Sequence, residues 1–267
     1  MAVNPLTENH KSKIENSMSG HSKWSTIKHK KAATDAKRGK VFSKIAKEMM
    51  VVARQGGGDP GANITLRTLI QKARAVNMPA DNIERAIKKG TGELEGEQME
   101  EIMYEGYAPG GVALIVQALT DNRNRTAAEV RHVFTKHNGS LAGQGSVARS
   151  FNRKGVIEVN SASAKEDELL EVALACGAED MTNEGDYFEI VTGPAEYPDV
   201  LAQFEERGVP VESSELTLLP ETYIPVTDAA QATALISFVQ TLEDLEDVQN
   251  VYANFDIPDE IMESVSA

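Results

Sequence analysis

From Lys37 onward the apolar residues recur at helical spacing: Val41, Phe42, Ile45, Ala46, Met49, Val52 and Ala53 fall, at 100° per residue, within an arc of roughly 140°. This is the core face of a helix, and residues 55–61 end it, because a run of glycines followed by Pro60 cannot continue it. Two shorter helices are predicted next, over 64–76 with Leu66, Leu69, Ile70, Ala73 and Val76 apolar, and over 79–89 with Ile83, Ala86 and Ile87 inward. Pro79 suits a first helical turn, and Lys88-Lys89-Gly90 suits a helix C-terminus.

After a polar, acidic junction at 92–101 the pattern changes to strands alternating with helices. Strands are predicted over 102–107 and 112–119, separated by the turn Ala108-Pro109-Gly110-Gly111, then a helix over 126–137, a flexible glycine-containing loop over 138–145 and a strand over 146–152. A strand at 156–159, a helix at 165–176, strands at 178–182 and 187–192, a helix at 195–207 and a strand at 211–218 follow in the order β-α-β-β-α-β, the split motif of ferredoxin-like folds. The remaining helix (227–242) and strand (248–255) fit best by returning to the sheet begun at Ile102. The expected fold class is therefore multidomain α+β: an N-terminal helical bundle, a discontinuous α/β domain and an inserted ferredoxin-like (βαββαβ) domain. The expected boundaries are a disordered tail at 1–19, a basic helical domain at 20–92, the discontinuous domain at 93–152 plus 221–267, and the insertion at 153–220.

Charge gives this order a direction. The 267 residues carry 27 Lys and Arg against 41 Asp and Glu, a net of -14. Residues 1–92 hold 18 cations and 7 acids, a net of +11, which leaves -25 for the remainder. The stretch 20–54 alone has eight Lys and two Arg against two acids. Lys37, Lys40, Lys44 and Lys47, at i, i+3, i+7 and i+10, form a stripe apart from the apolar face, and Lys23, Lys28, Lys30, Lys31 and Arg38 add to it. Such a patch neutralises phosphates and favours nucleic acid, DNA or RNA within the ribosome; the competing reading is the solvated face of an amphipathic helix. Trp24 either stacks on a base or anchors the N-terminal segment to the bundle.

Other chemistry finds little support. The histidines have no metal-ligand spacing, glycines 56–58 lack the Gly-Lys-Ser/Thr of a phosphate loop, and no Ser or Cys occupies a nucleophile elbow. The acids Glu93, Glu95, Glu97, Glu100 and Glu101 read as a solvated linker or a divalent-cation site. Cys176 stands alone, against a disulfide framework or a cysteine zinc site, and fits a reducing cytoplasm. No apolar run approaches the roughly 20 residues of a membrane span. The expectation is a non-enzymatic, cytoplasmic protein with no cofactor, metal, small-molecule substrate or membrane partner. A possible second nucleic-acid contact comprises Asn122, Arg123, Arg125, Asn138 and Ser140, whose loops cap a helix or reach a partner.

Several of these segments together carry a resemblance. Gly20-His21-Ser22-Lys23-Trp24, Ile27-Lys28-His29-Lys30-Lys31, Ala36-Lys37-Arg38-Gly39-Lys40, Asn77-Met78-Pro79 leading into Asn82-Ile83-Glu84-Arg85, Tyr104-Glu105-Gly106-Tyr107 and Thr120-Asp121-Asn122 are similar to the YebC/PmpR family, from Met18 onward. The chain departs from the family's glycine-rich loop at Asn138-Gly139-Ser140-Leu141-Ala142. The resemblance implies a helical N-terminal domain, a second α/β domain and a ferredoxin-like domain inserted in it. Members resemble DNA-binding transcriptional regulators, whereas the mitochondrial branch and some bacterial members resemble translation factors that act with the ribosome. An acidic scaffold for a basic protein partner is a further reading of the C-terminal two-thirds.

Overall fold

The computed structural model describes residues 35–96 and 98–266, with side chains in the first helix described from Gly39 onward. The predicted contacts Lys23, Lys28, Lys30 and Lys31, the N-terminal tail and Trp24 lie outside the described residues. Three helices come first: α1 (Asp35–Gly56), α2 (Ile64–Ala75) and α3 (Ala80–Thr91). Ile45, Met49 and Ala53 of α1 close a core with Leu66, Leu69, Ile70, Ala73, Met78, Ile83 and Ala86, the faces that the spacing predicts. Asn63 locks the corner between α1 and α2: its side-chain oxygen accepts from the Leu66 amide, while its Nδ2 donates to the Val52 and Gly57 carbonyls. At Gly90, α3 passes so close to α1 that a Cβ would lie 2.5 Å from the Met50 carbonyl oxygen.

The chain continues through β1 (Glu100–Tyr107), β2 (Ala113–Thr120), α4 (Arg123–Lys136), β3 (Ser140–Leu141), β4 (Phe151–Asn160), α5 (Glu166–Ala175), β5 (Asp180–Asn183), β6 (Tyr187–Thr192), α6 (Tyr197–Glu206), β7 (Val211–Pro220), β8 (Ile224–Pro225), α7 (Ala229–Glu243), β9 (Val248–Ala253), β10 (Phe255–Asp256) and α8 (Asp259–Ser266). One antiparallel sheet has the order β3-β1-β2-β9, so strands far apart in sequence share it. One of its faces contributes Leu114, Val116 and Val251 to a core completed by Val130 and Phe134 of α4 and Leu235, Phe238 and Leu242 of α7. Ala113, Ile115 and Tyr252 on the other face pack with Val147 and Phe151. The second antiparallel sheet, β5-β6-β4-β7, builds its core from Ile157, Val159, Phe188 and Ile190 with Leu169 and Ala173 of α5 and Val200 and Phe204 of α6.

The element boundaries differ from the pattern at several places. Residues 146–152 do not form a separate strand: a 3-10 turn (Ala148–Ser150) leads into β4, which pairs with β7 from Phe151↔Pro220 to Val159↔Val211. The preceding amides cannot join a ladder, because they are bound to a carboxylate described below. Helix α4 starts at Arg123 rather than 126, since Asn122 caps it and accepts from the Arg125 amide. The final strand stops at Ala253; Asn254 turns the chain by accepting from the Ala113 amide, and β10 pairs with β8 in parallel. Helix α8 was not anticipated by the periodicity.

Candidate nucleic-acid interface

Three lysines of the stripe, Lys40, Lys44 and Lys47, face the protein. The chain leaves α7 through residues 243–247, where terminal carbonyls have no partner within the helix and carry its partial negative charge. Lys40 Nζ donates to the Asp244 carbonyl at 3.1 Å and to its carboxylate at 3.2 Å. Lys44 Nζ donates to the Glu243 carbonyl at 2.9 Å. One turn further on, Lys47 Nζ donates to the Glu246 carbonyl at 3.1 Å and to Asp247 Oδ1 at 2.7 Å. Lys47 is 8% exposed. The i, i+4, i+7 spacing that reads as a phosphate-contacting stripe thus also fits a helix terminus lying across α1. The side chains of Lys37 and Arg38 lie outside the described residues.

Asp247 joins this contact to the sheet. Its buried carboxylate also accepts from Arg125 Nη2 at 2.8 Å, Thr126 Oγ1 at 2.7 Å and Thr120 Oγ1 at 3.1 Å, and its carbonyl accepts from the Leu119 amide. Burial pushes the carboxyl up, but hydrogen bonds from Lys47, Arg125 and Thr126 outweigh it and hold the group at about 2. Asp247 and Asp121 in turn hold the Arg125 guanidinium well above its ordinary value. No pattern in Leu245-Glu246-Asp247-Val248 signals this role, because the partners lie more than 100 residues away in sequence.

The five residues of the possible second contact do not form one patch. Asn122 caps α4, Arg123 Nε lies 3.4 Å from Glu100, and Arg125 is held by Asp121 and Asp247. Asn138 takes a left-handed conformation (φ 56°) just beyond the other end of α4, and Ser140 pairs with Tyr107 in the ladder. A 14-residue helix separates the two groups by about 20 Å. The loop after Asn138 is anchored rather than loose. Glu105, buried in β1, accepts from the amides of Gly145 at 2.7 Å, Val147 at 2.6 Å and Ala148 at 2.9 Å. Burial raises the Glu105 carboxyl, and these three donors lower it below its ordinary value. Gly106 lets β3 approach, since a Cβ there would collide with the Phe134 ring and the Ser140 carbonyl. Glu105 is the one acid of the predicted strand 102–107, but nothing local to it points to the amides that it holds.

Other cations of the helical region remain open. Arg54, Arg67, Arg74 and Arg85 are exposed and Lys89 is half-buried; among the described residues none has an ion-pair or hydrogen-bond partner for its side chain. Arg85 and Lys89 border a cleft of about 190 Å3 between α1 and α3, lined also by Phe42, Ser43, Ala46, Met50, Met78, Asn82 and Ala86. Elsewhere, Glu100 and Glu101 of the acidic junction engage Arg123 and Gln117. Among the described residues no group of three or more His, Cys, Asp or Glu could hold a metal ion, and no helix is long and apolar enough to cross a membrane.

A basic helical region joined to two antiparallel α+β layers defines a class, and comparison with known proteins identifies it. The model of the TACO1/YebC protein N-terminal domain matches residues 22–93, and that of the TACO1/YebC second and third domain matches 99–255. The chain belongs to the TACO1/YebC family. It is 55% identical over 249 residues to a "Probable transcriptional regulatory protein" of Syntrophobacter fumaroxidans, covering 93% of this chain and 100% of the relative. A protein of the same name from Desulfatibacillum aliphaticivorans is 56% identical over 91% of this chain and 98% of its own length. The crystal structure of a conserved hypothetical protein from Aquifex aeolicus superposes with a TM-score of 0.80 at 52% identity, covering 90% of this chain and 99% of that one.

Proposed function

We propose that the protein is a non-enzymatic, cytoplasmic regulator of transcription that binds DNA through its basic helical region. The observation that carries this reading is the separation of charge, +11 over residues 1–92 and -25 over the rest, together with open cations on the helices of the basic part. The names of the relatives agree with it. We read the chain as three units: the helical part at 20–92, a discontinuous α/β unit at 93–152 with 221–267, and an inserted ferredoxin-like unit at 153–220. A separate hydrophobic core at the centre of each supports the division.

Within the basic unit, Lys23, Lys28, Lys30, Lys31, Lys37 and Arg38 supply one part of the contact, and Arg54, Arg67, Arg74, Arg85 and Lys89 another. Lys40, Lys44 and Lys47 hold the basic unit to the rest of the chain, so their replacement tests docking before it tests binding. The decisive measurement is low-salt filter binding of the full chain to duplex DNA. Replacing Arg54, Arg67 and Arg74 together with Gln is expected to weaken binding and to reduce the salt slope by up to about 0.9 for each lost phosphate contact. Unchanged affinity and slope would remove this surface from the interface.

A further inference from the structure

The cleft between α1 and α3 differs from the rest of the basic unit in pairing an apolar floor with open polar groups. Phe42, Ala46, Met50, Met78 and Ala86 form the floor. Ser43, Asn82, Arg85 and Lys89 stand around it, and among the described residues none of these four side chains has a hydrogen-bond or ion-pair partner. The adjacent Lys88, by contrast, is paired with Glu84 and does not line the cleft. At about 190 Å3 the cleft is smaller than the roughly 300–1,000 Å3 of drug-sized sites, and its mouth is positive.

We infer that this cleft seats one unstacked base of a single-stranded nucleic-acid segment, with the phosphate beside it held by Arg85 and Lys89. The inference rests on the nucleic-acid reading above and adds a place and a strand state to it. The base covers the Phe42 ring and the methionine side chains, Ser43 and Asn82 meet its polar edge, and the two cations neutralise the backbone. Stacking on an aromatic ring is tolerant of base identity, so such a seat favours unpaired strands over any particular sequence. Charge complementarity selects this occupant, because an apolar floor ringed by two unpaired cations suits a ligand that is flat and apolar at one end and anionic at the other. An acidic peptide shares only the second property.

The test uses the full chain with a short fluorescein-labelled oligothymidine, the same oligomer with abasic sites, a duplex and a poly-glutamate peptide, read by anisotropy across a salt series. Ser43→Leu fills the seat without changing charge, and thermal melting checks that the variant folds. The expected results are weaker binding of the abasic strand, about tenfold weaker binding of oligothymidine by Ser43→Leu at an unchanged salt slope, and a slope smaller by about 1.4 for Arg85→Gln/Lys89→Gln. Wild-type affinity for single strands in both variants, with nucleic acid still bound, would overturn the seat and leave the function standing. Failure of the wild-type chain to bind any nucleic acid at low salt would overturn both. Poly-glutamate binding that Ser43→Leu abolishes, with oligothymidine indifferent to the variant, would assign the cleft to an acidic peptide and overturn the proposal.

Discussion

Two sets of cations on the same three helices have opposite fates. On one side of α1, Lys40, Lys44 and Lys47 donate to the carbonyls and carboxylates that follow α7, and Lys47 is almost fully buried. Facing the cleft with α3, Arg85 and Lys89 meet no acid among the described residues. Both sets look alike as charges in a sequence. What separates them is desolvation: a buried ammonium without its partner is costly, whereas an open guanidinium remains in water and is available to a ligand. Charge counting therefore finds the basic unit but not the face that it presents.

The comparison is broken most directly at Asp247. Asp247→Ala leaves Lys47 buried without its carboxylate and removes the acceptor for Thr120, Thr126 and Arg125, so chemical denaturation should register a loss of about 3–5 kcal/mol. Arg85→Gln, on the open side, should stay within about 0.5 kcal/mol of wild type. Equal effects of the two changes would mean that the docking contact contributes nothing to stability. The acid limb of the pH profile gives a second, smaller contrast. The Asp247 carboxyl is lowered from 3.8 to about 2 on folding, so its contribution is complete above pH ~4 and is lost as the pH falls towards 2. Stability measured across that window should drop by about 2 kcal/mol more in the wild type than in Asp247→Asn. The smallest effect belongs to Lys40→Gln. Its pair with Asp244 is about half exposed on both sides, and no more than about 1 kcal/mol, diminishing with added salt, should separate it from wild type in urea melts.

Much of the fold was legible because its elements are long and strongly periodic. The core faces of α1 to α3 and the alternation of strands and helices from β4 to β7 follow directly from residue spacing. The two-residue strands β3, β8 and β10 were not legible, since two residues carry no period. The candidate site divided along the same line. The stripe on α1 is a local property and was visible, but its partners lie about 200 residues away and no local pattern announces them. Asn122 was readable as a cap, because a capping residue and its amide are three positions apart. Glu105 was not readable as a clamp, because the three amides it holds lie about 40 residues downstream.

The connection into the second sheet has a mechanical meaning. The chain enters along β4 and leaves along β7, and the two strands are hydrogen-bonded from the first residue pair, Phe151↔Pro220, beside the cluster that covers the first sheet. Such a joint is a stiff ribbon rather than a tether: a pull along one strand loads the other through shear of the shared ladder, while bending across the flat face meets far less resistance. A ladder shared from its first residue pair thus ties the second sheet to the first through two strands rather than one, with Phe151 at the junction.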